Sequence, residues 1–286
     1  MFRKSARILF LIALTLVWAA PIFAVTYTCS MFPVVGQDVL DKDRQIKEPS
    51  GITYHPAKKS LFVVSDDDFI FETDLEAVVK RSAKLTLPGS LKLDLEDVAV
   101  NTRTGVLYVL SEKLDAVLEV NPDNFEVKRV FTYPQKFGTK TIYEKHPKDN
   151  GPEGLAFMPG KKPEEDVIIV CNQDDPPNVI KMKAPAPSDK QDLTPVKLTV
   201  ISVTTMPVKD LSAAAFCTER GTLFVVSDFN NVAFELTRDC KIIRSWALPG
   251  DEQEGIIFVN NCLYIAQDTG KILRCKLDRN FFRKAE

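Results

Sequence analysis

Apolar residues in this chain gather into short runs that return at a period of roughly 40–50 residues, each closed by a polar or acidic residue. The clearest are Leu61-Phe-Val-Val-Ser-Asp66, Leu107-Tyr-Val-Leu-Ser-Glu112, Val167-Ile-Ile-Val-Cys-Asn172, Leu223-Phe-Val-Val-Ser-Asp228 and Leu263-Tyr-Ile-Ala-Gln-Asp268. A second run precedes each: Ser50-Gly-Ile-Thr-Tyr54, Glu96-Asp-Val-Ala-Val100, Glu153-Gly-Leu-Ala-Phe157, Ser212-Ala-Ala-Ala-Phe216 and Glu254-Gly-Ile-Ile-Phe258. Runs this short, rich in β-branched and aromatic residues and bounded by Gly, Pro, Asn and Asp, predict strands. Two further strands follow in most units, for example Phe69–Thr73 and Val78–Leu85 in the first. In the third unit the outer strand is predicted at Val196–Val203, after a loop rich in proline. Four strands per unit, repeated nearly end to end, predict an all-β fold, a five-bladed β-propeller.

The fifth unit lacks an outer strand of its own, since the residues after Leu277, Asp278 to Glu286, are largely charged. Residues Val34 to Ile46 precede the first unit and belong to none. A strand from this segment, added to the last blade, would close the ring and remove an open sheet edge. The propeller domain is therefore placed at residues 34–280. Six blades is the alternative, with Tyr133 to Asp149 or Pro185 to Met206 supplying extra strands.

Residues 1–29 are a different kind of sequence. Arg3, Lys4 and Arg7 precede an almost wholly apolar stretch from Ile8 to Val25. That order reads as a secretory signal peptide or a membrane anchor. Either one places the body outside the cytoplasm, with the positive flank inside. The expected location is the cell envelope: periplasmic or extracytoplasmic, with or without an inner-membrane anchor. Export permits disulfides among the six cysteines. A two-residue turn at Asp268 and Thr269 would set Cys262 opposite Cys275, and two buried free thiols are the alternative.

Aligning the units exposes the chemistry. The position opening the inner strand holds Ser50, Glu96, Glu153, Ser212 and Glu254, and two residues earlier stand Glu48, Asp94, Gly151, Asp210 and Glu252. If alternation holds, residues two apart share a face, and these carboxylates converge at one mouth of the central channel. The acidic ends of the second strands, among them Asp66, Glu112, Asp228 and Asp268, fall on the same side. Like charges this close need compensation. Either several are protonated, or basic side chains pair with them, or a cation sits among them, and a hard cation with oxygen ligands is the simplest solution. The competing reading has the same acids accepting N–H bonds from turns. Glu48, Glu96, Glu153, Asp210 and Glu254 are the candidate metal ligands, with Ca²⁺ as the candidate cofactor.

Other chemistry is poorly supported. The sequence lacks G-x-S-x-G, H-E-x-x-H, C-x-x-C and a phosphate-binding glycine loop. Two histidines and no thiolate pair argue against zinc. His55 is expected at the face away from the acids and in solvent, and His146 in a loop on the acidic side. A net charge of −2 and no basic cluster argue against nucleic acid. Nothing calls for oligomerisation, so a monomer is expected.

The set Glu48-Pro-Ser-Gly-Ile52, Asp94-Leu-Glu-Asp97, Gly151-Pro-Glu-Gly-Leu155, Asp210-Leu-Ser212 and Gln253-Glu-Gly-Ile256 resembles the SdiA-regulated (YjiK-like) family over about residues 34 to 280. The resemblance implies a five-bladed propeller, exported or anchored, with a calcium site, distantly similar to NHL-repeat propellers and to esterase-like phytases. Asp97 and Ala213 stand where the family pattern commonly has glycine. Three functions stay open: a calcium-binding envelope propeller for a small molecule or an envelope protein, a calcium-dependent phosphoesterase or lactonase, and a metal-free interaction scaffold.

Overall fold

In the computed structural model, residues 29–40, 45–89, 92–143 and 151–283 are described. The predicted leader up to residue 28, and His146, lie outside them. Among the described residues no helix is long and apolar enough to cross a membrane.

Five sheets, each with an antiparallel four-stranded body, form a five-bladed β-propeller, and Cys29–Met31 adds in parallel beside Ile242–Ala247. From the channel outward, blade 1 is Pro49–His55, Ser60–Ser65, Phe69–Thr73 and Val79–Lys84. Blade 2 is Leu95–Val100, Leu107–Ser111, Ala116–Val120 and Val127–Thr132. Blade 3 is Pro152–Met158, Val167–Asn172, Asn178–Lys183 and Val200–Thr205. Blade 4 is Ala213–Cys217, Thr222–Ser227, Val232–Leu236 and Ile242–Ala247. Blade 5 takes Gln253–Val259, Cys262–Gln267 and Lys271–Leu277 from the C-terminal end and Val34–Leu40 from the N-terminal end. That last pairing closes the ring as expected. Phe32, just before it, enters a cluster with Phe224, Trp246, Phe258 and Phe281, stacking on Trp246 at 5.2 Å. Burying one such ring stabilises by about 1.5–3 kcal/mol.

The blades share an internal pattern. On the third strand, Glu72, Glu119 and Glu235 stand opposite Arg81, Arg129 and Arg244 of the outer strand. These pairs lie at 2.6, 2.6 and 3.4 Å. Blade 5 reverses the polarity, with Arg274 facing Asp38 of the closing strand at 2.9 Å.

Three expectations are corrected. The segment predicted as one outer strand, Val196–Val203, is two: Asp192–Lys197 adds to blade 2 in parallel beside Val127–Thr132, and Val200–Thr205 finishes blade 3. The break falls where Leu198 N–H bonds Thr132 and Thr199 C=O accepts from Lys183, so the chain changes sheets within two residues. Cys262 faces Lys276, while Cys275 faces Leu263. The hairpin loop holds three residues, with Gln267 pairing Lys271, so the register moves by one and both thiols are free. His55 is buried, its Nε2 at 2.9 Å from Gly105 C=O while Lys58 N–H donates to Nδ1. Those partners fix a neutral ring with the proton on Nε2, and burial holds its pKa below the usual value.

Candidate functional site

The inner strands do not begin as regular strands. Glu48, Asp94, Asp210 and Glu252 have φ of 45°, 56°, 62° and 49°, a left-handed turn just before each ladder starts. A bulge follows. Pro49 pairs with Ser65 and Gly51 with Val64, so Ser50 is extra. Glu153 and Glu254 are extra in the same way, and Glu96 lies within the corresponding irregularity of blade 2. A bulged residue leaves the ladder and is re-aimed.

That device gathers Ser50, Glu96, Glu153 and Glu254 into a chamber of about 350 Å³ at one end of the channel. Asp66, Asp94, Glu112 and Asp268 complete the acidic wall, with Lys92 and Lys113. Glu48 and Asp210 are not part of this lining. Turn geometry breaks the alternation that would have aimed them inward. Glu48 is exposed. Asp210 accepts from Gln173 Nε2 at 2.8 Å and Phe229 N–H at 2.9 Å. Some acidic strand ends likewise tie one blade to the next. Asp68 accepts from Leu93 and Asp94 N–H, Glu112 from Gly151 N–H and Asp228 from Gln253 N–H. The N–H-binding reading therefore holds for these, and Glu112 both lines the chamber and binds Gly151.

Among the described residues, seven carboxylates face two lysines in this wall. Burial, then the charges of Asp66 and Glu112, push Glu96 well above the usual carboxylate range. Burial, then Glu254 and Glu96, do the same to Glu153. Glu254 is pushed up to about 8 by burial and then Asp228. Asp66 reaches about 6 through burial, although it accepts a hydrogen bond from Ser50. Glu153 Oε2 is shut off from solvent and has no hydrogen-bond partner, though the residue as a whole is only half-buried. Asp94 goes the other way. Burial raises it, but hydrogen bonds from Lys113 and Lys92 outweigh that and leave it low. The two ammonium groups sit 2.8 and 2.5 Å from its oxygens.

The donor set fits a hard cation: carboxylate oxygens and a hydroxyl, with one orphaned buried oxygen. Oxygens of Asp94, Glu96 and Glu112 come within 4.8 Å of one another. Asp94 and Glu112 are already occupied by the lysines and by Gly151. Glu96 belongs to that close group, and Glu153 and Glu254 line the same chamber with buried carboxyls pushed up by burial and neighbouring acids, so these three are the remaining ligand candidates. Lys92 and Lys113 were not foreseen, although each adjoins a recognised acid: Lys92 lies two residues before Asp94 and Lys113 directly after Glu112.

Below the chamber the channel narrows. A Cβ on Gly51 would lie 2.4 Å from Asp97 Cα, and one on Gly255 would lie 2.8 Å from Ile52 N. Only glycine permits that approach. Asp97, at the equivalent position of blade 2, is buried and accepts N–H bonds from Val98 and Leu155, each at 2.7 Å, and from Ala214. Its side chain joins blades 2, 3 and 4 across the waist. Beyond it lies a second cavity of about 210 Å³, walled by residues such as Ile52, Val98, Leu155, Phe157, Ile256 and Phe258.

The SdiA-regulated family model matches residues 39–261. No curated protein matches the chain. Among solved structures it is similar to the glutaminyl cyclase of Myxococcus xanthus, with a TM-score of 0.58, 10% identity, and coverage of 86% of this chain and 95% of that one. It is also similar to a gluconolactonase of Xanthomonas campestris, with a TM-score of 0.50, 13% identity, and coverage of 79% and 71%. At such identities the likeness shows the propeller fold.

Proposed function

Since the chain belongs to the SdiA-regulated family, we propose that it is a calcium-binding propeller of the cell envelope, exported and either processed or anchored at residues 1–29. The observation that carries the metal reading is Glu153, whose Oε2 is sealed from solvent without a partner inside a wall of seven carboxylates. Glu96, Glu153 and Glu254 would hold the ion, with Ser50 and Asp66 beside them. A calcium ion would supply the positive charge that lets these buried acids ionise together. The chain's own part is to hold them there through the bulges and to shut the channel beneath them at Asp97. The test is thermal unfolding of the metal-stripped full-length protein. Binding to the folded state alone raises the midpoint by mass action. Calcium should raise it and magnesium should not. No rise with calcium removes the reading.

A second reading, a calcium-dependent hydrolase of phosphoesters or lactones, is favoured by Asp66. Its carboxyl, pushed up to about 6 and held by Ser50 on the chamber wall, is near the value a general base needs at neutral pH. Turnover by the wild type that disappears in Asp66→Asn would support it. Equal turnover in both would exclude that role for Asp66.

A further inference from the structure

The two lysines at the chamber mouth work against the cation this wall attracts. Lys92 and Lys113 are about half exposed, whereas Glu96 and Glu153 are pressed into the wall by burial. The ammonium groups therefore lie toward solvent, against carboxylates that are themselves mostly buried. An ammonium group a few ångströms from a cation site lowers the affinity of that site. If the only task were to hold a metal, neutral donors at the rim would do it better. Their partners explain half of the arrangement: Asp94 is shared by both, and Glu112 also contacts Lys113 at 3.2 Å. Both lysines thus sit against Asp94 and Glu112, whose oxygens come within 4.8 Å of those of Glu96.

We propose that the chamber mouth binds a small molecule bearing an oxyanion, a phosphate or carboxylate group, held between Lys92 and Lys113 and the cation beneath. The proposal rests on the cation reading above. Ca²⁺ takes six to eight oxygens. Three glutamates and one serine would supply part of that number, which leaves room for further oxygen ligands. Without the cation the lysines stay on Asp94 and Glu112, and the buried glutamates offer an arriving anion no positive charge. With the cation in place, the same anion completes its coordination and draws on the two ammonium groups. Binding is therefore ordered and linked. The oxyanion raises calcium affinity, and calcium raises oxyanion affinity by the same factor. Lysine suits this role because its three rotatable donors can leave one carboxylate for a stronger arrangement of oxygens.

The experiment is calorimetric titration of the full-length protein with calcium, alone and with methyl phosphate or acetate present as the probe. The expected result is calcium affinity raised roughly fivefold or more, within the usual range of coupling between sites, by at least one probe. Coupling to methyl phosphate alone assigns a phosphate group, and coupling to acetate alone assigns a carboxylate. The double variant Lys92→Ala, Lys113→Ala should bind calcium as tightly as wild type or more tightly, because repulsion is removed, and should lose the coupling. Lysines that merely brace Asp94 would not produce these opposite changes. Calcium binding with no coupling to either probe overturns the proposal and leaves the cation reading standing. Coupling that persists in the variant also overturns it. No calcium binding at all defeats the cation reading and this proposal with it.

Discussion

The two ends of the central channel are built from the same five strands and differ in chemistry, one walled by carboxylates and the other by apolar residues mixed with polar ones such as Thr53, Thr218 and Asn260. At one end each strand opens with a left-handed residue or glycine, and three blades then insert a bulged residue that points Ser50, Glu153 or Glu254 inward. A few residues later the same strands have settled into regular pairing and present Ile52, Leu155 and Ile256. Between the two ends, backbones approach so closely that glycine is required, and Asp97 bridges what remains. The lesson is that a propeller need not change its strands to build a polar site. It changes how they begin. Regular strand geometry serves packing, and the irregular first residues carry the charges.

The largest expected effect follows from removing charge at the acidic end. Glu153→Gln combined with Glu254→Gln should cut calcium affinity by more than the roughly 10–100-fold typical of losing an outer hydrogen-bonding partner. It should also raise the melting temperature of the metal-free protein, because two buried acids need no longer ionise or stay protonated. Calorimetry and thermal unfolding on the same preparation check both signs. A variant that loses affinity and also loses metal-free stability would show the glutamates acting as structural braces.

Next in size is the waist. Gly51→Ala forces a Cβ to 2.4 Å from the Asp97 backbone and should cost about 1–3 kcal/mol or more, as overpacking does. Asp97→Gly leaves the N–H groups of Leu155 and Ala214 without their acceptor and should cost about 1–3 kcal/mol. Denaturant unfolding measures both. If either variant is as stable as wild type, the waist is not the tight junction described here.

A smaller effect is expected from pH. Asp66 and Glu254 have folded-state pKa values raised to about 6 and about 8. At a pH below the unfolded carboxylate value they are protonated in both states and the penalty is absent. As pH rises through the folded values, the metal-free fold must ionise groups that it holds protonated. Stability should therefore fall between about pH 5 and pH 8, and saturating calcium should flatten that fall. Melting curves across this range, with and without calcium, test the sign. The smallest effect belongs to the far end of the channel: Tyr54→Phe, on the wall of the second cavity, should leave the calcium response unchanged. A changed response would mean that the two ends communicate.

Much of the fold was legible in the sequence, because apolar runs at a regular period state where strands lie. The closing strand was legible for a related reason: blade 5 lacked an outer strand and Val34–Leu40 lacked a blade. What escaped depended on shifts of one or two residues. The three-residue loop at Asp268–Gly270 moves Cys262 off Cys275. The switch at Leu198 and Thr199 divides one predicted strand between two blades. At the site, Glu96, Glu153 and Glu254 were visible as a repeated position. Glu48 and Asp210 were misplaced because strict alternation was carried back through a left-handed turn and a bulge. That basic side chains could pair with the acids was legible, but nothing in the sequence singled out Lys92 and Lys113 for it. Only the folded chamber brings both onto Asp94.

A crystal grown with calcium, and read by the ion's anomalous scattering, tests the central claim most directly. The expected result is one peak in the chamber, within coordinating distance of Glu96, Glu153 and Glu254 and on the chamber side of Asp97. A calcium-saturated crystal with no peak there, or with lysine ammonium groups turned inward to pair those glutamates, would contradict it.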